Sequence, residues 1–216
     1  MSMSKQEFTR RTVMGMMTTA GIVAAQRHDD INVLPANLPV PLDDGACDHL
    51  VGMAIPSIPL AGTRNHMVVL ANVPAPRTVV YAYPRTGEPD KEPPPGWNDI
   101  PGARGCTPQS CSMRDHYKQM KALGAEVFGL STQTTEYQKE MVNRLHLPFE
   151  VLSDSNFALT KSLRLPTFSI AGMTLIKRLT LVINDKKIEK VFYPIFPPDQ
   201  HGAQVVAWLT VRQLPR

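Results

Sequence analysis

The sequence predicts an α/β domain built on a largely parallel sheet with helices on both faces. Short apolar runs rich in β-branched residues fall at 78–83, 127–132 and 151–152, and amphipathic helical patterns separate them. Strands alternating with helices in this way pair side by side through crossovers. A late pair of strands, 179–184 and 189–193, joined by Asp185-Lys186-Lys187, reads as an antiparallel hairpin and makes the sheet mixed. With 216 residues, 43% of them hydrophobic, the chain has material for one domain plus appendages.

Composition excludes several classes. Lys plus Arg total 23 against 19 Asp plus Glu, a net +4, and the cations are scattered rather than clustered. That distribution argues against a nucleic-acid partner. No apolar run approaches the roughly 18 residues of a membrane span, so none is expected. Three cysteines are too few for a disulfide scaffold. A close pair plus a single one points to redox or metal chemistry.

Residues 1–28 read as an export signal or N-terminal extension. Lys5, Arg10 and Arg11 precede a weakly apolar stretch from 13 to 25, and Val23-Ala24-Ala25 suits a signal peptidase. Thr9-Arg10-Arg11-Thr12-Val13-Met14 resembles the twin-arginine signal, which implies a periplasmic protein. An amphipathic N-terminal helix on a cytoplasmic protein is the alternative. Residues 29–47, rich in Pro and Asp, form a linker or strap, and 48–216 the domain. Cys47 reads as a small buried or semi-exposed thiol.

Within the domain, 49–72 holds short apolar pieces broken by Pro56, Pro59 and Gly62, with a short strand at 67–70. The strand at 77–83 is the first central one. Residues 84–105 then carry Pro84, Pro89, Pro93, Pro94, Pro95 and Pro101 with four glycines, excluding helix and interior strand. Such a stretch exceeds the usual strand-to-helix connection of roughly 2–6 residues. It is either a lid or partner surface at a site mouth, or a solvated proline-rich loop. A helix is expected from about 106 to 123, ended by Gly124, a second over 133–145, a third capped by Asp154-Ser155-Asn156 through 163, and a closing one over 201–211. Together these elements make a thioredoxin-like domain.

Cys106 and Cys111 stand in Gly105-Cys106-Thr107-Pro108-Gln109-Ser110-Cys111-Ser112-Met113-Arg114-Asp115. The first falls at the first turn of a helix, where unpaired N–H groups and the dipole favour a thiolate. From Cys106 onward this run resembles the motif of the peroxiredoxins, in particular their Q-type, bacterioferritin-comigratory branch. Leu147-Pro148-Phe149-Glu150-Val151-Leu152-Ser153-Asp154 is similar to that family's Leu-Pro-Phe-x-x-Leu-Ser-Asp segment. Lys177-Arg178-Leu179-Thr180-Leu181-Val182-Ile183 is similar to its arginine-bearing strand. About residues 48–212 can be laid on the family.

The resemblance implies a thiol peroxidase without metal or other cofactor, acting on hydrogen peroxide or organic hydroperoxides. Cys106 would attack the peroxide and become a sulfenic acid, Arg178 would stabilise its charge, and Thr107 with the helix N–H groups would bind the peroxide. Cys111 would resolve the sulfenic acid as an intrachain disulfide, reset by a thioredoxin-like reductant. A monomer or weak homodimer is implied. The family's threonine, three residues before its cysteine, is here Ala103; Thr86, folded back, and Thr107 are the candidates to replace it. Three other readings stand beside this one. They are Cys111 as the attacking thiol, copper or other metal held by Cys106, Cys111 and His116, and two purely structural cysteines.

Overall fold

The computed structural model describes residues 31–89 and 91–212, so the export-signal reading of 1–28 lies outside the described residues. The strands are β1 (Pro59–Gly62), β2 (Met67–Val69), β3 (Arg77–Ala82), β4 (Ala125–Ser131), β5 (Glu150–Ser153), β6 (Thr167–Ile170), β7 (Met173–Ile176), β8 (Leu179–Asn184) and β9 (Lys187–Phe192). The helices are α1 (Cys106–Asp115), α2 (Tyr117–Ala122), α3 (Thr135–Leu145), α4 (Ala158–Leu163) and α5 (His201–Val211). Seven strands form one sheet in the order β2-β1-β5-β4-β3-β8-β9, and β6 and β7 form a separate hairpin. β3, β4 and β5 are parallel; β8 runs antiparallel to β3, and β1 antiparallel to β5. This is the mixed, thioredoxin-like sheet expected.

Alternation along the strands divides the core in two. Val80 and Ala82 of β3 and Leu179, Leu181 and Ile183 of β8 face one side, where they meet Leu159 and Leu163 of α4 and Cys47, Leu50 and Ile55 from the preceding segment. Val79 and Tyr81 of β3, Val127 of β4 and Val151 of β5 face the other, against Met113 of α1, Met120 of α2, Met141 of α3 and Val205 and Leu209 of α5. The sheet therefore stands between Cys47 and Cys106, which belong to opposite layers.

Three local expectations need correction. The helix from 106 to 123 is two helices, because His116 leaves the helical region (φ −98°, ψ 1°) and its Nδ1 lies 2.9 Å from Ser112 O. The late hairpin's second strand begins at Lys187, not Glu189, since the turn is only Asp185-Lys186, both at positive φ. The helix expected after Asp154 is as foreseen: it runs Ala158–Leu163, with Asp154 Oδ1 and Oδ2 accepting from the N–H groups of Leu159 and Thr160. The proline-rich segment contains one 3-10 turn, Trp97–Asp99. That segment is not a solvated loop. Trp97 and Ala103, 5% and 0% exposed, pack with Leu175 of β7 and Phe168 of β6 as a small third core.

Candidate active site

Cys106 is the first residue of α1, and its neighbour Gly105 caps the helix at φ 100°, ψ 20°. A side chain at Gly105 is barred twice over: φ is positive, and a Cβ would meet Pro198 at 2.4 Å and Leu34 at 2.8 Å. The glycine thus lets the chain turn sharply from the proline-rich segment into the helix, presenting the sulfur at the open end. Cys106 is 3% exposed and rests on the aromatic layer of Tyr81 and Tyr83, stacked with centroids 5.7 Å apart. Both tyrosine hydroxyls are pushed up by burial, so they remain neutral.

Arg178, immediately before β8, reaches this sulfur across the layer. Its Nη2 donates to Cys106 Sγ at 3.2 Å, to Ala103 O at 3.2 Å and to Arg104 O at 3.0 Å. Its Nε donates to Gly102 O at 3.2 Å, and its Nη1 to Gln109 Oε1. The guanidinium thus ties the end of the proline-rich segment, the first turn of α1 and the sulfur together. Cys106 Sγ also lies 3.5 Å from Ala103 O, which its thiol form can donate to.

Gln109 was not among the residues singled out from sequence. The signal was available: it stands three positions after Cys106, on the same face of the helix. The carbonyls of 102–104 were not foreseeable, because only the folded insertion aims them at Arg178.

Thr107 is 2% exposed and lines the cavity that opens on Cys106, as does Thr86. Arg85, Glu88, Trp97 and Ile31 line it too. Cys111 is half-buried midway along α1, and burial pushes its thiol up while the nearby Arg114 guanidinium pulls it down. Arg114 is itself tied to Asp115 at 2.8 Å and to Leu145 O at 2.9 Å, fixing α1 against α3. Cys47 is 5% exposed, and burial, aided by Asp44, Asp43 and Asp48, pushes its thiol up to about 12. Among the described residues no group of three or more His, Cys, Asp or Glu is arranged to hold a metal ion. His116, the third ligand of the metal reading, has its Nδ1 2.9 Å from Ser112 O.

These elements define a thiol protein of the thioredoxin fold, and the family model described as Redoxin matches residues 50–206. The chain belongs to the redoxin family, on its peroxiredoxin Q side. A chloroplastic peroxiredoxin Q of Sedum lineare is 30% identical over 151 residues, covering 69% of this chain and 72% of that one. One from Populus jackii is 31% identical over 151 residues, covering 69% and 63%. The chain thus spans just under two thirds of the Populus protein's length. Among solved structures, the peroxidoxin BcpB of Mycobacterium tuberculosis superposes with a TM-score of 0.61 at 22% identity, over 74% of this chain and 96% of that one.

Proposed function

We propose that the chain is a thiol-dependent peroxidase whose attacking group is Cys106. The observation that carries this reading is the guanidinium donor 3.2 Å from a sulfur at a helix N-terminus. In the first step the thiolate sulfur attacks one peroxide oxygen. The S–O bond forms, the O–O bond breaks, and the other oxygen leaves as an alcohol or water once it takes a proton. Arg178 balances charge on the sulfur and on the departing oxygen. Thr107 and the free N–H groups of the first helical turn hold the peroxide.

Cys111 then attacks the sulfenic sulfur, forming an S–S bond and releasing water. The two cysteines are five residues apart on one helix, roughly 7.5 Å along its axis. A disulfide needs Cα atoms within about 7 Å, so the first turn must unwind. The opening involves the Cys106 end, where Arg178 has to let go of the sulfur, while Ser112 beyond Cys111 stays held by the Gly202 N–H donating to its Oγ at 3.0 Å. Arg178 must release Gln109 as this happens. Cys47 is disfavoured as the resolving thiol because the whole sheet lies between it and Cys106.

A dithiol reductant of the thioredoxin type resets the pair, and the working unit is a monomer or weak homodimer. Among the described residues no helix is long and apolar enough to cross a membrane. The test is peroxide consumption with a thioredoxin system by the wild type, Cys106→Ser and Cys111→Ser, with mass spectrometry of the peroxide-treated wild type. Loss of turnover in Cys106→Ser and a Cys106–Cys111 bond are expected. Full activity in Cys106→Ser would end the reading.

A further inference from the structure

The cavity on Cys106 is small, with charged side chains sharing its wall with apolar ones, and it is roofed by the segment that lengthens the connection between β3 and α1. We propose that this roof makes the site selective for hydrogen peroxide over alkyl and aryl hydroperoxides, with Thr86 as the hydroxyl that binds the peroxide's second oxygen. The proposal rests on the reading of Cys106 as the attacking thiol.

Size is the first argument. The cavity holds about 80 Å³, where a single water requires roughly 10–15 Å³. Hydrogen peroxide and a few waters fill such a space; a cumyl group or an acyl chain has to displace the roof. The roof resists displacement because Trp97 is buried against Ala103, Leu175 and Phe168, with its ring 6.1 Å from that of Phe168. Ala103 O is in turn held by Arg178. Ile31 lines the cavity as well, lying so near Gly87 that a Cβ there would meet its Cγ2 at 2.8 Å.

Polarity is the second. Hydrogen peroxide carries an O–H at each end and loses hydrogen bonds with water at both when it enters. Thr107 lies beside the sulfur at the helix start, and Arg85, Glu88 and Lys91 line part of the wall. An organic hydroperoxide would place carbon against those charged groups, a desolvation without return.

Thr86 supplies the third. It is 1% exposed, and its Oγ1 has no hydrogen-bond partner among the described residues. Its backbone is nonetheless held at both groups: the N–H donates to Gln133 Oε1 at 3.2 Å, and the carbonyl accepts from Tyr137 OH at 2.7 Å. A rigidly held residue with an unmet buried hydroxyl, lining the same cavity as the sulfur, is placed to bind a ligand oxygen. In the reaction the sulfur bonds to one oxygen of HOOH and the O–O bond breaks. The second oxygen leaves as hydroxide, accepting the Thr86 hydrogen bond, and becomes water by taking a proton from solvent.

The experiment compares kcat/KM for hydrogen peroxide and cumene hydroperoxide with a thioredoxin system, alongside the alkylation rate of Cys106 by iodoacetamide. The wild type should prefer hydrogen peroxide by about 100-fold or more. Trp97→Ala should lower that ratio at least tenfold, and Ile31→Ala, which leaves the small core untouched, should lower it in the same direction and decides the matter if Trp97→Ala does not fold. Thr86→Val should slow the hydrogen peroxide reaction about tenfold without changing alkylation, and Thr86→Ser should restore it. A wild-type ratio near one, an unchanged ratio in folded roof variants, or equal slowing of alkylation and peroxide reaction in Thr86→Val would overturn the proposal. A wild type that is alkylated at Cys106 but consumes neither peroxide would overturn the peroxidase reading itself.

Discussion

Replacing Arg178 with lysine keeps one positive charge and removes the fork. The guanidinium, 3% exposed, serves three successive carbonyls (Gly102, Ala103, Arg104), Gln109 Oε1 and Cys106 Sγ. A lysine has its three donors on one atom and cannot span that set. At least two charge-assisted hydrogen bonds are lost, each about 1.5–3 kcal/mol, and buried acceptors are left unmet. The expected destabilisation is about 3–5 kcal/mol, the range for breaking a buried charged network, against a total of about 5–15 kcal/mol for an ordinary domain. The sulfur also loses a fixed donor at the reacting centre, which slows the chemical step by about 10²–10³-fold. Urea unfolding gives the first number, and single-turnover sulfenic acid formation in folded protein gives the second. A lysine variant that unfolds at the wild-type midpoint and reacts at the wild-type rate would refute the role assigned to the fork.

Three further outcomes follow from other parts of the molecule. Cys47, buried and with its thiol pushed up to about 12, should remain unalkylated at pH 8 while Cys106 reacts, and peptide mapping after brief iodoacetamide treatment reads this directly. His201 is buried with its Nε2 2.8 Å from Thr180 Oγ1, and burial first, with Arg178 adding to it, lowers it from 6.5 to about 4. Because the folded value lies below the unfolded one, the unfolded chain takes the proton first. Its contribution to stability is complete above pH 6.5 and is lost as pH falls toward 4, a change of about 3 kcal/mol that His201→Gln should remove from the pH dependence of urea unfolding. Gly202→Ala should cost about 3 kcal/mol in thermal or urea unfolding, because a Cβ there would meet Ser112 O at 2.3 Å where α5 crosses the backbone of α1.

Periodicity made the central layers readable. Val79 to Ala82 and Val127 to Ser131 are strands as their patterns predict, and 201–211 folds as the helix its pattern predicts. What failed locally depended on distant partners. The break at His116 arises where Ser112 O takes the imidazole and Ser112 Oγ takes the Gly202 N–H, a tertiary arrangement with no local signature. The β6–β7 hairpin drew no notice because its strands are four residues each and half exposed, with only Ala171-Gly172 at positive φ to mark the turn. At the site, spacing identified Cys106 and resemblance identified Arg178, but the proline-rich segment stayed ambiguous. One residue resolves it. Trp97 has only Ile100 and Ala103 as apolar partners nearby in sequence, and it finds the others, Phe168 and Leu175, on β6 and β7, some 70 residues on.

The segment before the domain lies across the roof like a gasket. Leu34 presses on Gly105, Pro41 lies 3.7 Å from where a Gly102 Cβ would stand, and Asp44 is clasped by Lys177 and Tyr193 at 2.7 Å each. The boundary that homology suggests, near residue 50, therefore removes residues that pack directly on the candidate site. A fragment trimmed to that boundary would retain both helix cysteines and Arg178, yet it would lose Ile31 from the cavity wall and Leu34 from its place against Gly105.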